Sequence, residues 1–282
     1  MEMNQQLRVE IQREVASALA EDIGTGDLTA QLIPETASAT GRVITRQDAI
    51  VCGTAWFDTV FQMLEPESSV VWHVKDGERV APGQRLCDIF ASARCLLTAE
   101  RTALNFLQFL SGTATTTARF VAAVAGTRAR IVDTRKTLPG LRLAQKYAVG
   151  VGGGQNHRIG LYDGVLIKEN HIIAAGGVKK ALQRAAKIAP SNAFIEIEVE
   201  SLAELNEALE AGAKMILLDN MLTEEMSEAV KVTSGRALLE ASGGVNLERV
   251  REIAETGVDR ISVGGLTKDV RAIDLSLRHI EE

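Results

Sequence analysis

Three short segments carry most of the chemistry available to this chain. In the first, Asp133-Thr134-Arg135-Lys136-Thr137-Leu138-Pro139-Gly140, an acid, a hydroxyl and two adjacent cations come after the apolar run 129–132. A Pro-Gly turn comes next, so the run reads as a buried strand delivering charge to a cleft. Arg135 and Lys136 are neighbours on an extended segment, and their side chains leave in opposite directions. A guanidinium fork suits a carboxylate, and a compact ammonium suits a phosphate. In the second segment, Asn156-His157-Arg158 comes after Gly152-Gly153-Gly154, a run that lets backbone N–H groups approach an anion. The third begins at Lys168, which closes the apolar Val165-Leu166-Ile167 and leads into Glu169-Asn170-His171. A lysine so placed neutralises a phosphate or, with a lowered pKa, forms a Schiff base; its position alone leaves both open. A site of this kind expects a substrate with several negative charges.

Acids and glycines complete the set. Glu196, Glu198 and Glu200 alternate with Ile195, Ile197 and Val199, so the three acids share one strand face. Against apolar helices they would be costly, which points them to a barrel interior where the cations pair with them. Glu198 and Asp219 both end strands and suit ribose hydroxyls or a magnesium ion. Ser242-Gly243-Gly244 and Val263-Gly264-Gly265 each end a strand and are expected to open a helix, where backbone amides bind phosphate. Two such loops on late strands fit the phosphate site of an α/β barrel. Ser242 has no histidine motif near it, so a nucleophilic triad is unsupported, and no cluster has zinc spacing.

The elements that must position these groups are strand–helix units. Strands are expected at 129–133, 164–168, 194–199, 214–219, 237–241 and 259–263. Ser201 and Glu204 cap a helix over 202–211 that stops at Gly212, and Asn246 and Gly257 bracket one over 247–256. The spacing of about 20 to 30 residues is that of parallel strand-plus-helix units, in an open sheet or a barrel. Polar or glycine groups at nearly every strand end favour the barrel, with about six units counted. The first part differs. It reads as a helix over 5–20, a strand-like stretch over 41–53 turning at Asp48, short strands within 70–97, and helices over 98–111 and 113–125. This is an α+β domain ahead of the barrel. The run from Asp76 to Leu86 has a carrier-domain look but lacks the modified lysine, so a carrier role is set aside.

The chain has 282 residues, 46% hydrophobic and 24% charged, enough for one large or two ordinary domains with a real core. A net charge of −6 makes nucleic acid an unpromising partner. No apolar run approaches the roughly 20 residues that span a bilayer, and the segment Met1 to Glu14 is too polar for a signal peptide. Cys52, Cys87 and Cys95 form no C-x-x-C pair and no framework, so a reduced, cytoplasmic protein is expected. The charge is segregated: Arg135, Lys136, Arg142, Lys146, Arg158 and Lys168 face only Asp133, Asp163 and Glu169, and acids dominate from Glu196 to Glu228.

These motifs resemble those of the quinolinate phosphoribosyltransferase family, also called carboxylating nicotinate-nucleotide pyrophosphorylases. The resemblance runs through 20–29, Glu100-Arg101-Thr102-Ala103-Leu104-Asn105, 133–142, Lys146-Tyr147-Ala148-Val149, 152–158, 168–171, 196–200, Leu218-Asp219-Asn220 and both glycine loops. It implies an α/β fold: an N-terminal α/β sandwich domain over 1–112 and an open, type II phosphoribosyltransferase-like α/β barrel of about seven strands over 113–282. A C-terminal helix would pack back on the first domain. It implies transfer of phosphoribosyl from phosphoribosyl pyrophosphate to quinolinate with decarboxylation, in de novo NAD biosynthesis. Arg101, Arg135, His157, Arg158 and Lys168 would bind the quinolinate carboxylates or adjacent phosphates. Lys136, Glu198, Asp219, Ser242, Gly243, Gly244, Val263, Gly264 and Gly265 would line the phosphoribosyl pyrophosphate side and Thr134 would also bind substrate, with Lys136, Lys168, Glu198 and Asp219 the catalytic set. The cofactor would be Mg2+, held mainly through the substrate and not by protein alone, with Glu198 and Asp219 as candidate ligands. The unit would be a homodimer, in some members a hexamer, with Arg101 reaching the neighbour's site; no nucleic acid or membrane takes part. Three alternatives stand beside this: a Schiff-base aldolase using Lys168, a non-catalytic metabolite sensor, and a related branch associated with molybdenum transport loci.

Overall fold

Residues 5–280 are described by the structure, a computed structural model. In chain order the strands are β1 (Ser38–Thr45), β2 (Ala49–Ile50), β3 (Ser69–Trp72), β4 (Arg79–Val80), β5 (Arg85–Ser92), β6 (Arg130–Val132), β7 (Gly164–Ile167), β8 (Phe194–Val199), β9 (Met215–Asp219), β10 (Leu238–Ser242), β11 (Arg260–Ser262) and β12 (Leu275–Ile280). Two compact units form. One comprises Met1–Ala118, Leu138–Gly153 and Val270–Glu282; the other comprises Arg119–Thr137 and Gly154–Asp269.

The first unit holds an antiparallel sheet of order β12-β1-β5-β3 and the ribbon β2-β4. Its C-terminal segment is a strand and not the expected helix. Leu275 and Leu277 alternate with Ser276 and Arg278, a period of two, and β1 offers the strand an antiparallel partner with Val43 opposite Leu277. The core gathers Trp56, Phe57 and Phe61 with Leu7, Ile11 and Val15 of the helix Gln5–Ile23. The two helices expected at 98–111 and 113–125 are one, Ala93–Ala123. Gly112 between them is no helix breaker: a Cβ there would stand 2.2 Å from the carbonyl oxygen of Arg271, so glycine serves close backbone packing.

Glu14 is buried in this core, its Oε2 accepting a 2.7 Å bond from Trp56 Nε1. Burial pushes its carboxyl from 4.5 up to about 7. A folded-state pKa raised above the unfolded one gives stability that is complete below the unfolded value and lost as pH rises through the folded value. Between about pH 5 and about pH 8 the loss is ~2–3 kcal/mol. Glu14→Gln keeps an acceptor for Trp56 and should remove this part of the pH dependence. Urea midpoints at the two pH values should lie closer together in the variant than in the wild type. Equal separations would contradict the assignment.

The second unit is a six-stranded parallel sheet of order β6-β11-β10-β9-β8-β7. Each strand falls on an expected segment. Beyond β6, Gln155 forms a single parallel bridge to Val132, so six strands and one bridge stand where about seven strands were implied. The segment 155–158 lies between the two edge strands. Gln155 N–H donates to Ile131 O at 2.8 Å, and Arg158 Nη1 donates to Gly164 O of β7 at 2.9 Å.

Candidate active site

In the parallel sheet, residues two apart on one strand point the same way. Leu166 and Lys168, Glu198, Leu217 and Asp219, and Glu240 and Ser242 therefore converge on one cleft of about 590 Å³ at the carboxyl ends of β7 to β10. The loops add Thr134, Arg135, Lys136, His157, Arg158, Asn220, Gly243, Gly244, Gly264 and Gly265. The expected residues thus meet, with two exceptions. Val263 is fully buried, and Arg101 is exposed on the helix Ala93–Ala123 of the first unit. The glycine run 152–154 does not line the cleft. A Cβ on Gly152 would sit 2.4 Å from Ala114 O, so that glycine packs backbone on backbone and is not an anion cradle. Glu200 lies past the end of β8, exposed, so only Glu196 and Glu198 occupy the inner face.

At the mouth, Lys168 is ion-paired with Glu198. Asn220 takes a left-handed conformation with φ 55, which turns its amide back to donate to Asp219 Oδ2 at 2.8 Å. Gly243 has φ 97, and a Cβ on it would fall 2.1 Å from Asn220 Oδ1. That close approach and the positive φ both require glycine there. Gly264 clears a path for a side chain: a Cβ there would stand 3.0 Å from Lys136 Cδ. Thr267 Oγ1 donates to Lys136 O at 2.8 Å and Lys136 N–H donates to Thr134 Oγ1 at 3.1 Å, which fixes the strand-end turn. The Val263-Gly264-Gly265 loop opens a helix as expected, and the Ser242-Gly243-Gly244 loop does not. After Gly264 comes a single turn, Gly265–Lys268, and after Gly244 the next helix starts only at Val250. Gly243, Gly244, Gly264 and Gly265 of these loops line the cleft.

Beneath the mouth lies a buried layer. Glu196 and Glu240 are 0% and 1% exposed and His157 8%. His157 Nε2 stands 2.8 Å from Glu196 Oε2 and 3.7 Å from Glu240 Oε1, and Arg260 Nε is 3.0 Å from Glu240 Oε2. Burial pushes both carboxyls up to about 7, against the pull of Arg260 on each. The three groups lie close enough to suggest a metal site. The ring geometry argues otherwise. His157 Nδ1 accepts the Arg158 N–H at 2.8 Å, so a neutral ring carries its proton on Nε2 and donates it to Glu196. No lone pair is left for a metal. Asp133, fully buried, accepts from His157 N–H at 2.8 Å and from Asn156 Nδ2 at 2.6 Å.

Glu240, which lines the cleft, and its partner Arg260 are not singled out by the sequence, and Asn220 appears there only within the motif Leu218-Asp219-Asn220. For the first two a signal existed: each is a lone charge inside an expected strand, in Leu238-Leu239-Glu240-Ala241 and Asp259-Arg260-Ile261.

Comparison with known proteins bears directly on this cleft. Residues 27–111 match the family model of the quinolinate phosphoribosyl transferase N-terminal domain, and residues 113–278 match that of the C-terminal domain. The chain belongs to the quinolinate phosphoribosyltransferase family. A nicotinate-nucleotide pyrophosphorylase [carboxylating] of Mycobacterium leprae is 45% identical over 273 residues, covering 93% of this chain and 95% of that protein. A probable nicotinate-nucleotide pyrophosphorylase [carboxylating] of Bacillus subtilis is 41% identical over 257 residues, covering 91% and 89%. Among solved structures, the nicotinate-nucleotide pyrophosphorylase of Francisella tularensis superposes with a TM-score of 0.94 at 46% identity, covering 97% of each chain. Family membership and the parallel-strand cleft support each other.

Proposed function

We propose that this protein transfers phosphoribosyl from phosphoribosyl pyrophosphate to quinolinate and releases pyrophosphate, carbon dioxide and nicotinate mononucleotide, a step of de novo NAD biosynthesis. One observation carries the reading: Arg135, Lys136, Arg158 and Lys168 surround the same cleft as Glu198 and Asp219. Cations hold a dicarboxylate and a polyphosphate, and carboxylates face the positive charge that grows at the anomeric carbon. The quinolinate nitrogen attacks that carbon as the pyrophosphate oxygen leaves, through an oxocarbenium-like transition state. Alignment and electrostatics supply the rate, and no protein nucleophile is needed. Leu166 and Leu217 give the cleft an apolar floor suited to a flat ring. The 2-carboxylate then departs as carbon dioxide, its electron pair left on the ring carbon beside the cationic nitrogen, where a proton replaces it.

Glu198 and Asp219 offer the hard oxygens that magnesium takes. Lys168 already engages Glu198, and Asn220 engages one oxygen of Asp219. The chain therefore makes no complete cage, which fits an ion held mainly through substrate oxygens. Bound magnesium supplies charge neutralisation on the pyrophosphate. The Schiff-base reading is disfavoured because Lys168 is committed to Glu198 and the cleft gathers more anion-binding groups than a simple aldehyde needs.

Expression in a bacterial strain deleted for its own quinolinate phosphoribosyltransferase should restore growth without added nicotinate. Absence of growth despite soluble protein would count against the proposal.

The working unit in this reading is a cytoplasmic homodimer in which Arg101 completes the neighbour's cleft. Its support is that Arg101 is exposed on a helix of the first unit, outside the lining of its own chain's cleft. Mixing Arg101→Ala with Lys136→Ala protein should then recover up to about a quarter of wild-type activity, because half of the dimers are hybrids and each hybrid has one intact site of two. No recovery despite demonstrated subunit exchange would contradict the shared site.

A further inference from the structure

The gap between the edge strands β6 and β7 is spanned by side chains and not by a ladder. On the β6 side, the segment 155–158 has the Gln155 bridge and the two bonds to Asp133. On the other side, His157 Nε2 meets Glu196 and Arg158 Nη1 donates to Gly164 O. Glu196 is fully buried, so its bond with His157 is little screened by solvent. Glu240 stands off at 3.7 Å from the same nitrogen, beyond hydrogen-bond distance, and Arg260 draws it away. Glu196 is thus the acceptor that decides the tautomer. Phe194 packs its ring edge-on to the imidazole at 5.1 Å and limits rotation.

We propose that Glu196, acting through His157, is a positioning residue for the cationic end of the cleft. It holds the ring as the Nε2–H tautomer, whose Nδ1 grips the Arg158 N–H and so sets where the Arg158 guanidinium meets a substrate carboxylate. The role in substrate binding rests on the quinolinate reading; the tautomer does not. Glu196 need not touch substrate or exchange a proton with it. The requirement is an acceptor at that point. Without one, a buried N–H loses its partner, and the ring can turn and release the Arg158 amide.

Two experiments test this. The chain has four histidines, so 15N-histidine labelling gives a tractable spectrum. His157, assigned through a His157→Gln spectrum, should show an unprotonated Nδ1 and a protonated Nε2 at about pH 7.5. An Nδ1–H ring or an imidazolium at that pH overturns the proposal. The second compares Glu196→Leu with Glu196→Gln, which keeps an acceptor oxygen. Leucine should raise the quinolinate KM about 10- to 100-fold with kcat changed less than about threefold, and glutamine should bring KM back to within about threefold of wild type. Equal KM values for the two variants, or a loss confined to kcat, overturns it. If the leucine variant does not fold, the tautomer measurement decides alone. A wild-type protein that does not use quinolinate would sink the functional reading, and the spectrum would still judge the tautomer separately.

Discussion

Nicotinate should be consumed about 10⁴-fold less efficiently than quinolinate, expressed as kcat/KM at one concentration of phosphoribosyl pyrophosphate. The two acids differ by a single carboxylate. In the proposed reading Arg135 and Arg158, both lining the cleft, take the two carboxylates of quinolinate, and nicotinate brings only one. A site built to bind a charged group leaves its own groups unmatched when that group is missing, and such sites discriminate far more strongly than apolar pockets do. The same carboxylate is the one lost as carbon dioxide, so its absence also removes the driving step. Comparable kcat/KM values for the two acids would contradict the assignment of these cations.

Asp219→Asn and Glu198→Gln should each lower kcat by about 30- to 1000-fold, equivalent to ~2–4 kcal/mol of transition-state stabilisation. Both changes nearly preserve volume, and both residues lie within paired strands, Asp219 as the last residue of β9 and Glu198 as the last but one of β8, whose backbone ladders hold them in place. Asparagine at 219 can still accept from Asn220 Nδ2, so the local turn should persist. In the proposed mechanism, the negative charge that faces the anomeric carbon is what disappears. Direct titration of quinolinate should change much less, because the arginines hold that end of the cleft. Glu198→Gln carries a second consequence: Lys168 loses its ion-pair partner, so its effect on phosphate affinity should exceed that of Asp219→Asn. Normal turnover by both variants would make these carboxylates mere partners of nearby cations.

Much of the parallel sheet and its cleft is legible in the sequence because parallel strands announce themselves. Apolar runs ending in Lys168, Asp219 and Ser242 need no tertiary information to be read as strand ends facing a common mouth. The family motifs then mark the residues around them. What stays hidden depends on contacts distant in sequence. Gly112 and Gly152 read as a helix break and an anion cradle, yet both are glycines because carbonyls of Arg271 and Ala114 pass within van der Waals reach of a Cβ position. The C-terminal strand depends on a partner more than two hundred residues earlier in β1, and its period-two alternation over 275–278 is too short to decide against a helix by itself. The buried layer is only half visible. The alternation around Glu196 shows its inward face, but its pairing with His157, and the joining of Glu240 and Arg260 below them, come from the register of β8, β10 and β11.

If one cleft couples phosphoribosyl transfer to loss of a specific carboxylate, the two events must share a stoichiometry. Quinolinate labelled with 14C at the 2-carboxylate, incubated with the pure protein, magnesium and phosphoribosyl pyrophosphate, tests this most directly. Labelled carbon dioxide, pyrophosphate and nicotinate mononucleotide should appear in equal amounts, and none should form when phosphoribosyl pyrophosphate is left out. Carbon dioxide released without phosphoribosyl pyrophosphate, or pyrophosphate released with the label still on the nucleotide, would contradict it.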